Sequence, residues 1–239
     1  MSLLTVGNPK LMKGQKKGYL SSVLHLAPAD LSGKEVCPKR TAGCTMACLN
    51  TAGRGGIFKK GESTNVIQQA RIRKTKQFFA ERSVFLTELV GEINKTIKKA
   101  EKQGLIPVFR LNGTSDLSWE KYEVVDGKNI FQLFPNVQFY DYTKVLGRKV
   151  SHISNYHLTF SAADGNDTDV DKAIAMGMNV AMVFDKVPAV YKNREVIDGD
   201  ETDLRFLDKR SVIVGLKAKG KAKKDTSGFV RRVVNILPV

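Results

Sequence analysis

A chain of 239 residues with 42% hydrophobic content can fill one large core or two small ones, which excludes a disordered tail protein. Lys and Arg number 39 against 24 Asp and Glu, and the resulting +15 favours polyanionic or phosphate-bearing ligands. No run reaches the roughly eighteen apolar residues of a membrane span, and the start Met1-Ser-Leu-Leu-Thr-Val is too short and too quickly polar for a signal peptide, so a cytosolic protein with no membrane partner is expected.

Residues 1–20 carry Lys10, Lys13, Lys16 and Lys17 without an acid and are interrupted by Gly7, Gly14 and Gly18, the pattern of a basic, loop-like arm. Val23 to Pro28 is a short apolar run ending at proline, which suits a buried first strand. Residues 29–61 form a Cys- and Gly-rich loop. From Glu62 to Arg82 the composition is helical, and from Ser83 the positions Phe85, Leu86, Leu89, Val90, Ile93 and Ile97 keep the 3.6-residue period to a stop at Gly104.

Beyond it come five short apolar runs that read as strands: Ile106–Leu111, Val137–Tyr142, Tyr156–Ser161, Asn179–Phe184 and Ser211–Leu216. Helical or turn-rich stretches separate them, Trp119 to Leu133 and Thr168 to Met176 among them, the latter capped by Asp167 or Thr168 and by Gly177. This alternation predicts an α/β fold: a partial, open β/α barrel of about six parallel strands with the cysteine loop after the first, all in one domain over 1–239, with residues 62–239 supplying the helices and β/α repeats.

The three cysteines cluster as Cys37-x6-Cys44-x3-Cys48. Clustering on one loop speaks for a shared task and against a disulfide framework. Three thiolates can each bind one iron of a [4Fe–4S] cubane and leave the fourth iron to a ligand other than Cys. Zinc would want a fourth ligand, for which only His25, His152 and His157 stand available, and ordinary reduced cysteines are the third reading. Lys39, Arg40, Arg54, Lys59 and Lys60 nearby would lower thiol pKa values or bind an anion. Gly43, Gly53, Gly55 and Gly56 would let backbone approach a cluster or a phosphate.

In a parallel β/α array the ligand lies at the carboxyl ends of the strands. The polar residues there are Asn112, Thr114 and Asp116; Asp141, Tyr142, Thr143 and Lys144; Ser161 and Asp164; Asp185 and Lys186; and Lys217 and Lys219. Of these, Asn112, Thr114, Asp116, Asp141, Tyr142, Lys144, Ser161 and Lys217 are the candidate cofactor or substrate pocket, although turns and caps favour the same residue types. No residue is assigned a catalytic role. Asp198 to Asp203 is an acidic turn that could hold a divalent cation through hard oxygen ligands. Lys219, Lys221, Lys223 and Lys224 are the candidate nucleic-acid contacts.

A three-cysteine loop directly after the first strand of a parallel β/α array resembles the radical SAM superfamily, whose usual spacing is C-x3-C-x2-C. That resemblance implies a possible radical-SAM-like enzyme with S-adenosylmethionine as a second cofactor, Asn112-Gly113-Thr114-Ser115-Asp116 standing where the superfamily holds the methionine amino group. Several blocks together resemble a bacteriophage family, the phage gene product eighty-eight family: Cys37-Pro to Leu49, Thr51-Ala-Gly-Arg-Gly55, Arg110 to Asp116, Phe139 to Lys144, Tyr156 to Ser161, Val196 to Asp203 and Gly215 to Gly220. This implies a phage-encoded viral protein acting in the cytoplasm of the infected bacterial host.

Two functions follow from this reading. The first is a phage iron–sulfur protein with Cys37, Cys44 and Cys48 as metal ligands and an unknown small or phosphate-bearing ligand at the strand ends. The second is a basic nucleic-acid-binding phage protein whose metal, zinc or Fe–S, only pins the loop.

Overall fold

The computed structural model describes residues 2–7 and 9–233. The chain runs β1 (Leu4–Thr5), α1 (Pro9–Gln15), β2 (Tyr19–Leu24), α2 (Ala29–Ser32), α3 (Ala42–Met46), α4 (Val66–Ala80), α5 (Arg82–Lys102), β3 (Ile106–Arg110), β4 (Glu123–Val125), β5 (Lys128–Asn129), α6 (Ile130–Leu133), β6 (Gln138–Thr143), β7 (Tyr156–Ser161), α7 (Asp167–Ala175), β8 (Val180–Phe184), β9 (Val190–Tyr191), β10 (Arg194–Asp198), β11 (Ile213–Lys217) and β12 (Val230–Arg231). Apart from the small β4–β5 hairpin, the strands form one ten-stranded sheet in the order β1-β2-β3-β6-β7-β8-β11-β10-β9, with β12 also on β8. β1 and β9 pair antiparallel with their neighbours, and the other pairings of this sheet are parallel.

The fold is therefore α/β with a large, mostly parallel, open sheet. Among the described residues it has more strands than the six expected, and the sheet closes into no barrel. β7 pairs with β8 at Val180 and Ala181. β11 occupies the opposite edge of β8 along Val180–Phe184. β12, paired at Val183 and Phe184, thus continues the edge that β7 leaves.

α5 forms where the period predicted it: Phe85, Leu86, Leu89 and Ile93 are buried, with Val90 and Ile97 packed beside them. It ends as expected at Gly104, whose φ of +62° permits the Leu105 N–H to reach back to the Ala100 carbonyl at 2.9 Å. α4 is capped by the Asn65 side chain, which accepts from the Gln68 N–H at 3.0 Å. Phe78 from α4 meets Phe85, Trp119 and Tyr122 edge-on at 5.3–5.4 Å, and so clamps both helices to the segment after β3. The α4–α5 face of the sheet presents Leu24, Phe109, Phe139 and Tyr156, while the opposite face carries Tyr19, Val108 and Tyr140 against Leu204 and Phe206.

Three local expectations are corrected, and one element was not foreseen. Residues 1–20 are no loop: Glu92 accepts from the Leu3 and Leu4 N–H groups at 2.6 and 2.8 Å, the buried Lys74 ammonium donates to the Leu3 carbonyl at 2.7 Å, and α1 packs on β2. The first parallel strand is Tyr19–Leu24 and not Val23–Pro28. Past Leu24 the backbone leaves the ladder, because Leu24 accepts from the Gly113 N–H and Ala27 donates to the Thr75 hydroxyl. Trp119 to Leu133 holds no long helix but a 3-10 turn at Trp119–Lys121, the β4–β5 hairpin and the four-residue α6. Finally, Val190–Asp198 is a β-hairpin whose turn residues Lys192 and Asn193 both have positive φ, the signature of a two-residue turn.

Candidate functional site

The cysteine loop lies over the carboxyl ends of the parallel strands. Three ties hold it there: the Asp116 N–H donates to the Val36 carbonyl at 2.7 Å, the Thr114 hydroxyl donates to Leu26 at 2.6 Å, and the Cys37 thiol points at the Thr114 carbonyl at 3.9 Å. Asp164, just past β7, latches the far side. Its carboxylate accepts from the Thr41 hydroxyl and from the Gly43 and Cys44 N–H groups, the last two at 3.0 and 3.2 Å. These are the free N–H groups at the start of α3, so a carboxylate there both caps and balances the helix end. Gly43 is required by the crowding: a Cβ would sit 2.0 Å from the Ser227 hydroxyl and 2.9 Å from the Asp164 carboxyl carbon. Gly113 is required likewise, since a Cβ would stand 2.6 Å from the Leu24 carbonyl.

Burial alone would raise the Asp164 carboxyl, but the Thr41, Gly43 and Cys44 donors outweigh it and hold the group below the usual carboxylate range. Its stabilisation is therefore present above that range and lost as pH falls through the lowered value. Asp164→Ala is expected to cost about 1 kcal/mol, as for a lost helix cap, and to speed amide exchange over residues 41–48. Exchange unchanged in that segment would refute the latch.

The thiols of Cys37, Cys44 and Cys48 are all half-buried and free. Burial pushes the Cys37 thiol up to about 12, Lys144 pulls it down, and Asp116, Cys48 and Cys44 push it further up. Burial also raises Cys48, which accepts from the Asn50 N–H and faces Cys44, Lys144 and Arg71. The three cysteines share one short loop, and Lys144 acts on both raised thiols. They are not gathered round one point, and among the described residues no three His, Cys, Asp or Glu side chains stand in metal-holding geometry. Burial, then Arg71, Arg110 and Lys74, lower His25 to about 3 and so keep its imidazole neutral, but it joins no such group among the described residues. As a donor set, soft thiols with Lys144 and Arg71 to offset thiolate charge suit iron–sulfur chemistry better than a hard cation.

The other expected pocket residues separate into distinct groups. Asn112 is a knot beneath the loop. Its Oδ1 accepts from Ser115 Oγ, the Leu117 N–H and Trp119 Nε1 at 2.8–3.0 Å, and its own N–H donates to Asp141 at 2.7 Å. Asp141 is fully buried, and burial raises it to about 7 against the pull of Arg110, Asn112 and the Tyr156 hydroxyl at 3.0 Å. Asp116 accepts from the Lys144 N–H at 2.7 Å and lies 3.7 Å from Arg148, which also grips Glu120. Tyr142 points to the opposite face, stacked under the Arg110 guanidinium at 4.6 Å. Ser161 ends β7, its carbonyl taken by Asn166. Lys217 is exposed and its N–H donates to Asp200, far from the thiols in the sheet order.

The glycines of the loop serve the chain itself. Cβ atoms at Gly55 and Gly56 would strike the carbonyls of Asn50 and Thr51. Arg71 and Asn65, reaching from α4 and its cap, bind the same turns at Asn50 and Gly55. The acidic turn binds side-chain cations: Asp200 pairs with Lys219, Glu201 with Lys17 and Asp203 with Arg110. Arg148, Arg71 and Tyr156 were the working residues that spacing alone did not mark. A loop arginine and a mid-helix arginine carry no local signal, since each partner lies far away in sequence.

No helix among the described residues is long and apolar enough to cross a membrane. No curated protein and no solved structure matches the chain, so the radical SAM resemblance gains no support from them. The family model described as Gene product 88 matches residues 2–233, nearly the whole length. The chain belongs to the gene product 88 family of bacteriophage proteins.

Proposed function

We propose that Cys37, Cys44 and Cys48 ligate a [4Fe–4S] cluster at the carboxyl ends of a sheet curled as a partial β/α barrel. The observation that carries this reading is the presence of three free, half-buried thiols on one short loop that is tied to the strand ends at Thr114 and Asp116. Ligation requires the loop to draw the three sulfurs together and each thiol to lose its proton, which a bound metal drives. A cluster held by three thiolates supplies one-electron chemistry and an iron open to a ligand from outside the protein. S-adenosylmethionine is the ligand the superfamily likeness suggests, and the host cytoplasm, which keeps thiols reduced, is the compartment that suits the site. The chain's own part is to hold the loop through Asp164, Asp116 and Thr114 and to offset thiolate charge with Lys144 and Arg71.

The test is anaerobic purification with iron and sulfide analysis, and EPR of the reduced protein before and after adding S-adenosylmethionine. About four irons per chain, lost in Cys44→Ala, is the expected result, and an EPR signal moved by the added ligand extends it to the open iron. Zinc or no metal in strictly anaerobic wild-type protein overturns it.

A second reading has its own observation. Lys13 and Lys17 from α1 and its following turn meet Lys219 at Asp200 and Glu201, so basic segments from distant parts of the chain converge on one surface. Lys217, Lys221, Lys223 and Lys224 are exposed nearby in the chain. A nucleic-acid contact there predicts affinity that falls steeply with salt and survives Cys44→Ala.

A further inference from the structure

Between the cysteine loop and α7 lies a cleft of about 450 Å³, within the size of small-molecule sites. Lys39 and Thr41 line one wall, Asn166, Thr168 and Asp169 the other, and Lys144 joins them. Arg40 also reaches the cleft, but its guanidinium is engaged by Asp30 and Glu35 at 2.7 and 3.0 Å. Lys144 differs: it is half-buried and has no carboxylate partner among the described residues, while its backbone N–H is spent on Asp116. A half-buried ammonium with no carboxylate partner can pair with a ligand's negative charge.

The opposite wall adds neutral donors. Asn166 turns its side chain to Ala163 and Ser161 and does not cap α7, so among the described residues the first-turn N–H groups beside Thr168 and Asp169 have no side-chain acceptor. Asp167 faces Arg231 instead of the helix end. The remaining acid, Asp169, would repel a bare anion but accept hydrogen bonds from hydroxyl groups. The cleft thus offers a positive pole at Lys144 and Lys39 and an acceptor across from it.

We infer that this cleft binds a small phosphomonoester bearing hydroxyl groups, a phosphorylated sugar or nucleotide, with phosphate on Lys144 and Lys39 and hydroxyls on Thr168 and Asp169. The inference goes beyond the proposed cluster and does not need it, although Lys144 faces both. The test is calorimetric titration of the purified full chain with ribose 5-phosphate, and with ribose and inorganic phosphate separately. Saturable binding of ribose 5-phosphate, weaker binding of phosphate and none of ribose are expected, with about a tenfold or greater loss in Lys144→Gln. Lys39→Gln, on the exposed rim, is expected to weaken binding in the same direction and carries the test should Lys144→Gln fail to fold. No saturable binding by the wild type, equal binding of ribose, or titrations unchanged in the folded lysine variants overturn the inference. Iron content read on the same samples, and a titration of Cys44→Ser, keep the two proposals apart: binding retained without the cluster supports the cleft alone, and no binding in cluster-loaded protein removes the cleft alone.

Discussion

Asn112→Ala is expected to destabilise the protein by about 3 kcal/mol or more and to shift the emission of its one tryptophan. The Asn112 carboxamide oxygen is shared by three buried donors, the Ser115 hydroxyl, the Leu117 N–H and the Trp119 indole N–H. Alanine leaves all three without their acceptor, and each orphaned buried donor costs about 1–3 kcal/mol, partly recovered by relaxation. The Asn112 side-chain nitrogen also donates to the Leu117 carbonyl, at 3.0 Å. Trp119 is 1% exposed and is the sole tryptophan of the chain, so urea unfolding followed by its fluorescence reads both effects at once. A variant as stable as the wild type with unchanged emission would refute the framework role of Asn112.

Arg148→Met is expected to cost about 3–5 kcal/mol, the usual penalty for removing one partner of a buried ion pair. The Arg148 side chain is 3% exposed and its two carboxylate neighbours, Glu120 and Asp116, are each 8% exposed. It also donates to the Tyr156 hydroxyl at 3.2 Å, and that hydroxyl in turn holds Asp141. Methionine keeps much of the volume and removes the charge, so two carboxylates face a low-dielectric interior uncompensated. The double variant Arg148→Met with Glu120→Met should regain a large part of the loss in urea midpoint. If the double variant is no better than the single, packing and not charge is what Arg148 supplies.

These two residues also show where the sequence is readable. Apolar period and length located α5 and five of the parallel strands, because burial of one face imposes a spacing that neighbouring residues reveal. The strand-end rule named Thr114, Asp116 and Lys144, which the fold sets near the cysteine loop, yet it gave Asn112 and Asp141 the same standing. Both lie beneath the mouth, and their partners Trp119 and Tyr156 are known only once the chain is folded. β2 was misplaced because Ser21 and Ser22 are buried strand residues that look like a turn, while Leu26 and Ala27 are apolar and buried outside the ladder. The latch at Asp164 stood among the polar strand-end residues, but its grip on Thr41 and Cys44 crosses some 120 positions and leaves no local trace.

The place of β12 bears on the order in which the protein is made. It is the last of the described strands, yet it lies inside the sheet on β8, and the turn before it sets Ser227 against Gly43 of the cysteine loop. Arg231 on the same strand donates to the Ala163 carbonyl at 2.9 Å, next to the latch. A ribosome delivers the cysteines early and this cover late. The contact of Ser227 with the loop can form only after β3 to β11 have been made.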